Sequence, residues 1–576
     1  MKNQELAKIF YEIADYLKMS DVPFKPAAYK RAGLALEALE EDVEDIYKRG
    51  GIKALKEIPG VGESIALKIE EYLKTGKIKY YENFKKKMPF NLEELVRIEG
   101  LGPRKAKVLF QKLGIRNLKD LEKAAKEHKI APLFGFGEKT ERNILEGIEF
   151  LKKSKGRFLL GEIMPYVNEI MKRLKKLKEV EMISVAGSTR RRKETIGDVD
   201  ILVVSDYPEK VMDYFVSQPE VIKILGKGPT KSSVRTKGGF DVDLRLVKRE
   251  CFGSALQYFT GSKEHNIATR KIAIAKGLKL NEYGVFRGGK RIAGRTEEDV
   301  YKAIGLPWIP PEIRENKGEI ECALAGKLPK LIGYDEIRGD LHCHSNWDGG
   351  ANSIEEMAKT AQEMGYEYIG ISDHTKTLKI EHGLDEKKLL QQRKEIENLN
   401  QKLKESNKTF KILQGCEANI LNDGKVDIKD EVLKKLDYTI AGIHSNFKMS
   451  KEKMTERIIR AMKNPYINII SHPTGRILKR RDEYQIDFGK ILRAAKEFNV
   501  ILEINSSPDR LDLSAENIRK AKEAGVKMVI NTDSHQKDQL RNMEYGISQA
   551  RRGWAEKKDI INTQPLDKLL KFFKNK

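Results

Sequence analysis

Apolar residues follow helical spacing through the first part of the chain, up to residue 155. In the stretches LAKIFYEIADYLKM and IALKIEEYLK they return once per helical turn, and turns that contain glycine separate these short runs. The pattern predicts two small all-α modules, which we assign to residues 1–88 and 89–155.

The pattern changes to short strands after residue 156. Runs of β-branched residues such as DVDILVV and DVDLRLV alternate with helical stretches over residues 156–318, which is typical of an α/β or α+β unit. Residues 319–335 carry no clear periodicity and are interpreted as a linker. Over residues 336–576, strands such as YIGIS and KMVINTD alternate with helices, which predicts repeated βα units in a parallel barrel.

The charge of the chain narrows the choice of partner. Charged residues make up 34% of the 576 residues, and the net charge is +23. Such an excess of positive charge attracts polyanions, and nucleic acid is the leading partner. A lysine-rich solvated surface, as in heat-adapted proteins, is the alternative explanation.

Hydropathy and cysteine spacing bear on the cellular setting. No apolar run approaches the roughly 18 residues of a membrane span, so we expect a soluble, cytoplasmic protein without a membrane partner. The cysteines are widely spaced and form no Cys-x-x-Cys pair, which is typical of a reducing compartment. They are Cys251, Cys322, Cys343 and Cys416.

Gly-x-Gly turns repeat in the helical part, in IPGVGESIALKI, IEGLGPRKAKVL and LFGFGEKTERNI. Two glycines allow a tight turn, so the amides at the next helix start can point at a DNA phosphate. One copy alone is more often an ordinary interhelical turn, whereas three copies in a basic region favour binding of the DNA backbone. The turns resemble helix-hairpin-helix motifs, with Gly60, Gly62, Gly100 and Gly102 as predicted DNA-binding positions and Gly135 and Gly137 as a looser copy.

Paired aspartates mark the middle region. Asp198 and Asp200 lie two residues apart on the predicted strand DVDILVV, so their carboxylates share one face. With a third carboxylate from FDVDLRLV they can hold two magnesium ions, which activate a 3′ hydroxyl and stabilise a leaving pyrophosphate. Gly187 and Ser188 can bring donors to a triphosphate, and Arg191 can add charge. A solvated strand edge is the alternative, which the Gly-Ser pair ten residues upstream makes weaker.

The Gly-Ser pair, the arginine-rich stretch after it and GDVDILV together resemble the palm of a family X (polymerase beta-like) DNA polymerase. The resemblance extends over residues 1–318. It implies a nucleotidyltransferase palm at 156–252 and a nucleotide-pocket subdomain at 253–318, with Asp243 rather than Asp241 as the third metal ligand. YFTGSKEHNIATRKIAIAKG matches the pocket, which implies nucleotide contacts at Gly197, Tyr258, Phe259, Gly261 and Asn266 and a template contact at Arg270.

FKPAAYKRAG and IPGVGESIALKIEEYLKTGK resemble the small lyase domain of the same family. The resemblance implies that Lys68 forms a Schiff base with the sugar left by base loss, and that Lys25 and Tyr29 contact the 5′ phosphate. Ser64 stands where polymerase beta has a further lysine. The alternative is that Lys68 is an exposed lysine that binds the phosphate itself.

Histidines are concentrated in the last region. Six of them follow predicted strands, and in a βα barrel the ends of these strands meet at one rim. The motifs DLHCHS, ISDHT, GCEANI, AGIHSN, ISHPTGR and NTDSH resemble the PHP (polymerase and histidinol phosphatase) family over residues 336–576. The resemblance implies a distorted (β/α)7 barrel with up to three zinc or manganese ions, which would activate water and hydrolyse a phosphoester.

The PHP resemblance also implies how ligands are shared. His342, His344, Glu417 and Asp533 would surround one ion, Glu417, His444 and His472 a second, and His374 with His535 a third. In the family pattern an aspartate comes five residues after the second histidine, where this chain has Gly349; we predict that Asp348, one residue earlier, is the further ligand of the third ion. His382 stays unassigned.

The sequence therefore predicts a monomeric polymerase that fills short gaps in gapped or nicked DNA with dNTPs during repair. Its PHP domain would trim 3′ ends as a 3′–5′ exonuclease, and the resemblance allows abasic-site cleavage and deoxyribose phosphate lyase activity. Alternatively, the PHP domain is a small-molecule phosphatase, or a degenerate structural module beside a DNA clamp. The basic loop TGRILKRRDEYQ is either a landing patch for DNA phosphates or a solvated loop.

Overall fold

The computed structural model describes residues 2–20, 22, 25–37, 39, 41–58, 60–96, 98, 101–153, 157–406 and 409–574. The chain forms two compact units, one comprising residues 1–155 and 479–482 and the other residues 156–478 and 483–576. Among the described residues, no helix combines the length and the apolar character needed to cross a membrane.

The first unit is all-helical in its described part. One cluster of buried side chains extends from Leu6 to Ile148, so helices from both predicted modules contribute to a single core. The helices are α1 (Lys2–Met19), α2 (Lys25–Glu37), α3 (Val43–Lys56), α4 (Glu63–Thr75), α5 (Lys79–Lys87), α6 (Leu92–Leu95), α7 (Pro103–Leu113), α8 (Leu118–Lys126) and α9 (Gly137–Lys153).

The second unit begins with a five-stranded mixed sheet, the palm sheet, in the order β2-β4-β7-β6-β5. β4 and β7 are parallel, and the other neighbours are antiparallel. Val167 and Phe215 of the covering helices are buried against Val199 and Val242 of the sheet. The elements are β1 (Phe158–Leu159), α10 (Leu160–Lys175), β2 (Met182–Val185), α11 (Gly187–Arg190), β3 (Thr195–Ile196), β4 (Asp198–Val204), α12 (Pro208–Val216), β5 (Val221–Lys227), β6 (Lys231–Thr236) and β7 (Asp241–Leu246).

Helices and a small antiparallel sheet follow the palm sheet. Arg314 is fully buried and pairs with Glu297 at 2.6 Å beneath the buried ring of Tyr301. The predicted linker contains a short helix whose residues Ile320 and Ala323 are buried. The elements are α13 (Phe252–Thr260), α14 (Lys263–Ala275), β8 (Lys279–Asn281), β9 (Gly284–Arg287), β10 (Lys290–Ala293), α15 (Glu297–Ala303) and α16 (Glu319–Leu324).

Parallel strands form the C-terminal barrel in two sheets, β11-β12-β13 and β14-β15-β16-β17-β18. β13 and β14 are successive pieces of one strand position, and a parallel bridge between Cys343 and Ser534 joins the first position to the last. The strands are β11 (Gly339–Cys343), β12 (Tyr368–Ile371), β13 (Lys411–Gln414), β14 (Glu417–Asn419), β15 (Ile440–Gly442), β16 (Ile469–Ile470), β17 (Ile501–Asn505) and β18 (Met528–Asn531). All-α modules, an α+β palm and a distorted barrel with seven strand positions confirm the predicted fold class.

The barrel helices begin at polar caps that the sequence supplies. Ser353 Oγ accepts from the Glu356 amide in a reciprocal capping box, whereas Ser450 and Ser514 cap later helices by a single side-chain hydrogen bond each. The helices are α17 (Ile354–Glu363), α18 (Glu386–Glu405), α19 (Asp430–Leu433), α20 (Lys451–Met462), α21 (Phe488–Glu497), α22 (Ala515–Ala524), α23 (Met543–Arg552) and α24 (Leu566–Lys574).

An apolar layer separates the interior of the barrel from its amino-terminal end. Leu341, Ile440 and Val529 are fully buried and pack with Leu569 and Phe573 of α24. The predicted ligand histidines lie at the opposite end, where the strands finish.

Candidate active sites

Two strands of the palm sheet bring carboxylates together. β4 and β7 are in a register that pairs Asp198 with Asp241 and Asp200 with Asp243. Burial, followed by the charges of Asp198 and Asp243, raises the pKa of Asp200 to about 6. Because like charges are costly without a cation between them, the cluster is suited to divalent ions.

Asp243 and Asp241 differ in their partners. Ser233 Oγ donates to Asp243 Oδ1 at 2.6 Å, and Lys231 Nζ lies 2.6 Å from Asp243 Oδ2. Asp241 forms a two-point ion pair with Arg235, at 2.7 and 3.0 Å. Since one guanidinium takes both oxygens of Asp241, the geometry favours Asp243 as the third carboxylate of the cluster.

The Gly-Ser turn lies directly beside these carboxylates. Gly187 has a φ of +63°, and a Cβ atom at this position would come within 2.8 Å of Asp200 Oδ2. Only glycine adopts this left-handed φ and also leaves room for the Asp200 carboxylate without strain. Two other residues were predicted to contact a nucleotide. Ser188 lies in α11, and Gly197 lies immediately before β4.

Arg191 joins the turn to the nucleotide-pocket subdomain. Its Nε lies 3.1 Å from Glu315 Oε1, and its guanidinium also donates to the carbonyl of Thr260. The neighbouring Arg190 forms a two-point ion pair with Glu297, at 2.8 and 2.7 Å. Glu315 thus balances part of the positive charge of Arg191, the residue that we predicted to bind a triphosphate.

The predicted pocket residues contact one another. The rings of Tyr258 and Phe259 meet edge to face with their centroids 5.1 Å apart. Asn266 is buried, donates to the Tyr258 carbonyl at 2.7 Å and accepts from Gln257 at 2.8 Å. Arg270 is exposed, and its Nε donates to the Asn266 carbonyl at 3.1 Å.

Arg245 connects this pocket with the carboxylates. Its guanidinium lies 4.7 Å from the centroid of the Phe259 ring, and its Nη2 lies 3.8 Å from Asp243 Oδ2. Gly261, the remaining predicted pocket residue, lies close to Arg191, because a Cβ built on it would be 3.2 Å from Arg191 Nη1. The pocket and the carboxylates therefore form one continuous site.

The glycine turns of the first unit expose backbone at helix starts. Gly62 and Gly102 are the N-cap residues of α4 and α7, and no described atom lies within 4 Å of a Cβ built on either. Gly60 takes a φ of +79°. Gly100 lies outside the described residues, and Gly135 and Gly137 form the turn that leads into α9.

Lys68 lies among aromatic rings in the same unit. Its Nζ is 5.1 Å from the ring centroid of Tyr80 and 5.9 Å from that of Tyr29, and it donates to Ser64 Oγ at 3.0 Å. Burial, to which the charge of Lys25 adds, lowers the pKa of the Lys68 amine. A lowered pKa leaves more of the neutral amine, which is the nucleophilic form.

Glu417 lies at the centre of the histidine cluster in the barrel. Its Oε2 is 2.9 Å from His374 Nδ1 and 3.3 Å from His342 Nε2. Its Oε1 is 2.9 Å from His472 Nε2 and 3.3 Å from His444 Nε2. The two oxygens of this fully buried carboxylate therefore face different pairs of histidines.

Asp533 completes the cluster on the other side. Its Oδ1 lies 3.4 Å from His344 Nε2 and 3.6 Å from His342 Nε2. The ring of His344 is 4.1 Å from that of His535 and 4.3 Å from that of His374, centroid to centroid. The structure thus brings together every histidine that was predicted as a ligand.

The donor set of this cluster fits divalent metal ions. Buried polar atoms are costly unless they have partners, and imidazoles with carboxylates are the preferred ligands of zinc and also bind manganese. Among the described residues, the buried ring and carboxylate atoms without a hydrogen-bond partner include His342 Nε2, His344 Nε2, His374 Nδ1, His444 Nε2, His472 Nδ1 and Glu417 Oε2.

Comparison with known proteins identifies the family of the chain. The DNA polymerase/3′-5′ exonuclease PolX of Bacillus subtilis (strain 168) is 37% identical over 579 residues, which cover 100% of both chains. This chain belongs to the PolX family of DNA polymerases. Four family models match parts of this PolX-family chain. They are the helix-hairpin-helix domain (1–78), the SAM-like helix-hairpin-helix tandem (92–149), the DNA polymerase beta thumb (255–315) and the PHP domain (340–507).

Shorter relatives match part of this PolX-family chain. The probable phosphatase of Thermoanaerobacter sp. (strain X514) is 33% identical over 248 residues, 41% of this chain and 94% of that protein. The probable phosphatase of Caldanaerobacter subterraneus subsp. tengcongensis is 34% identical over 207 residues, 34% of this chain and 75% of that protein. The two family resemblances predicted from the sequence are confirmed.

Glu503 and Asn419 of this PolX-family protein were not predicted from the sequence. His342 Nδ1 lies 2.7 Å from Glu503 Oε1, and His444 Nδ1 lies 2.8 Å from Asn419 Oδ1. Each contact fixes a ring so that its other nitrogen faces Glu417. Both residues lie on barrel strands, so a search for polar side chains on these strands would have found them.

Asp348 contacts the histidines from behind. Its Oδ2 accepts from His344 Nδ1 at 2.8 Å and from the backbone amide of His374 at 2.9 Å. Next to it Asp373 is fully buried, and burial followed by the charge of Asp348 raises the pKa of Asp373 to about 7. Asp348, predicted as a ligand, orients His344 in this geometry.

Arg476 joins the barrel to the palm in the PolX-family chain. It is buried, its Nη2 lies 2.7 Å from Glu194 Oε1, and its Nε donates to the Arg510 carbonyl at 3.1 Å. Gln549 also donates to Glu194. A landing patch for DNA phosphates is therefore the wrong interpretation for Arg476, because its charge is already paired inside the protein.

Replacing Glu194 with alanine should destabilise this junction. The change leaves the buried Arg476 guanidinium without its carboxylate, which should lower the free energy of unfolding of the second unit by about 2 kcal/mol. Glu194→Gln, which keeps an acceptor, should cost less. Thermal unfolding of the two variants measures the difference, and an equal loss for both would contradict the assigned pairing.

Proposed function

We propose that this protein extends DNA 3′ ends with deoxynucleoside triphosphates at Asp198, Asp200 and Asp243. The parallel register of β4 and β7, which aligns Asp200 with Asp243, carries the proposal. The site would hold divalent cations, and we propose two magnesium ions. When bound, they would activate the 3′ hydroxyl and neutralise charge at the leaving pyrophosphate. The three carboxylates would hold these cations.

The surrounding residues position the nucleotide. Tyr258 and Phe259 offer apolar faces to its sugar, and Asn266, anchored to the backbone of Tyr258, lies at the base edge. Gly187 keeps the space beside Asp200 clear for phosphate oxygens. The exposed Arg270 contacts the template strand.

The helix starts after the glycine turns hold the DNA backbone. Unobstructed amides beside Gly62 and Gly102 suit phosphate oxygens and read no sequence. We propose that a monomer acts on gapped or nicked DNA. A gapped duplex carrying a 3′ label, assayed with magnesium or manganese, tests extension and trimming together.

For the barrel we propose 3′–5′ exonuclease activity. The two-sided contact of Glu417 with four histidines carries this proposal. Zinc or manganese ions held there supply activation of water and stabilise charge on the phosphoester. Glu503 and Asn419 keep the imidazole rings in place, and burial of the cluster limits the access of bulk water.

A small-molecule phosphatase is the rival function of the barrel, and relatives named as probable phosphatases support it. His342→Ala should abolish cleavage of a 3′-labelled oligonucleotide by the purified protein. Loss of phosphomonoester hydrolysis alone, with unchanged cleavage of the oligonucleotide, would favour the phosphatase.

For the first unit we propose a second activity, release from DNA of the sugar phosphate left by base loss. The lowered pKa of Lys68 and its position beside the rings of Tyr29 and Tyr80 support this proposal, in which Lys25 and Tyr29 contact the 5′ phosphate. The neutral amine attacks the sugar aldehyde and, with loss of water, forms a Schiff base. Borohydride trapping of the full chain on incised abasic DNA measures this step.

Replacing Lys25 with alanine should move the trapping reaction to higher pH. Removing this positive charge takes away a cause of the lowered pKa of Lys68, so the amine loses its proton only at a higher pH. The measurement is the pH at half-maximal trapping rate under saturating DNA. The control is Lys74→Ala. Lys74 lies on α4, the helix of Lys68, but its charge is paired with Glu70, so this change should leave the pH profile of trapping unchanged.

A further inference from the structure

The last turn of the barrel helix α23 lies against the palm, beside the end of α11. Arg552 is the final residue of α23, and its side chain is only 9% exposed. Its Nη1 donates to the backbone carbonyl of Arg191 at 2.7 Å and lies 3.3 Å from Glu315 Oε1. One barrel residue thus touches both the arginine predicted to bind a triphosphate and the carboxylate that pairs with that arginine.

The contact with the Arg191 carbonyl holds the turn that follows the Gly-Ser pair. Arg191 is the C-cap residue of the short helix α11, and a carbonyl at a helix end needs a partner from outside the helix. The next residue, Arg192, takes a left-handed φ of +55°, which is uncommon for a residue other than glycine. Because the chain turns sharply here, a buried guanidinium on this carbonyl restricts where the Arg191 side chain can point.

Glu315 is shared by several positive charges. Arg191 Nε and Arg552 Nη1 lie 3.1 and 3.3 Å from its Oε1. On the other side, Lys193 Nζ lies 3.8 Å from its Oε2. Burial raises the pKa of Glu315, but the surrounding positive charges, that of Arg552 first, outweigh burial and hold this pKa below its usual value. One negative charge therefore faces three positive ones, which leaves a net attraction for phosphate.

The guanidinium of Arg191 keeps a donor for a ligand. Its Nε faces Glu315 and its Nη1 donates to the Thr260 carbonyl, whereas Nη2 has no partner within the described part of the chain. Gly261 of the predicted pocket lies beside this guanidinium, because a Cβ built on it would be 3.2 Å from Arg191 Nη1. Without Arg552, Glu315 would neutralise Arg191 more completely, and the backbone anchor would be lost.

We propose that Arg552 of the barrel is a positioning residue for nucleotide binding in the palm, and that it acts through Arg191. It holds the Arg191 backbone and takes up part of the charge of Glu315, so the Arg191 guanidinium is presented to the triphosphate of the incoming nucleotide. The barrel then supports the polymerase site in addition to its hydrolytic role. This inference rests on the predicted contact between Arg191 and the triphosphate, within the proposed polymerase function.

Steady-state kinetics of primer extension by the full chain test the role of Arg552. In Arg552→Ala the KM for the dNTP should rise about tenfold, the effect of losing one hydrogen bond to a charged group. The kcat should change by less than about twofold, because the triphosphate is bound before and during the reaction alike. Arg552→Lys keeps the charge and a donor and should show a smaller rise in KM. Thermal unfolding checks that each variant is folded.

The neighbouring Arg551 provides the matched control. Its side chain is also mostly buried at the junction of barrel and palm, where its Nε lies 2.7 Å from Glu312 Oε1. Among the contacts of the described residues it touches neither Arg191 nor Glu315. Arg551→Ala should therefore lower the thermal stability, as Arg552→Ala does, and leave the KM for the dNTP unchanged.

A double variant separates positioning from general damage to the junction. If Arg552 acts through Arg191, then Arg552→Ala should raise the KM no further in an Arg191→Ala background. The inference is overturned if Arg552→Ala leaves the KM unchanged, if Arg551→Ala raises it equally, or if the two losses multiply in the double variant. An unchanged KM in Arg191→Ala alone overturns the triphosphate contact itself, which is a separate result.

Discussion

Replacing Glu417 with alanine should remove the 3′–5′ exonuclease activity and leave primer extension intact. Both oxygens of this carboxylate face imidazole nitrogens, so the change takes a ligand from two ions at once. Loss of residues that only orient metal ligands typically costs about 10- to 100-fold. We therefore expect cleavage of a 3′-labelled oligonucleotide to fall by more than about a hundredfold.

The control for Glu417→Ala is a glutamate on the outside of the barrel. Glu397 lies on α18, is exposed and pairs with Arg393, so Glu397→Ala should leave cleavage unchanged. Metal content should fall together with activity in the Glu417 variant. Retention of nuclease activity after loss of Glu417 would mean that the cleavage comes from outside the barrel.

The sequence predicted the histidine cluster because strand ends converge by topology alone. His374, His444 and His472 each follow a short apolar strand, and parallel strands of a barrel finish at the same rim. No further information is needed to place such side chains near one another. The contact of both Glu417 oxygens with different histidines, however, depends on ring orientations that a one-dimensional pattern does not contain.

Other parts of the molecule carry no local signal. Glu194 and Arg476 are 282 residues apart, and neither position differs from an ordinary surface charge in the sequence. Such pairs arise from packing between distant segments, so spacing rules that work within one helix or strand cannot find them.

Replacing Asp200 with asparagine should abolish DNA synthesis while the barrel continues to trim 3′ ends. Burial, followed by the charges of Asp198 and Asp243, raises the pKa of Asp200 to about 6. An amide keeps the shape but removes one of the charges that attract the cations. Loss of a single preorganised electrostatic contact costs about 10²- to 10³-fold in other enzymes, so extension on gapped DNA should fall by at least about a hundredfold.

Asp241→Asn is the matched control for Asp200→Asn, because Asp241 lies in the same parallel register on the same face of the sheet. Its two oxygens are held by Arg235 rather than directed at the other carboxylates. Extension should therefore survive in this variant. If Asp241→Asn stopped synthesis as fully as Asp200→Asn, the cluster would need four carboxylates, and the choice of Asp243 over Asp241 would fail. Simultaneous loss of trimming in Asp200→Asn would show that the two sites depend on each other, which the separate carboxylate and histidine clusters argue against.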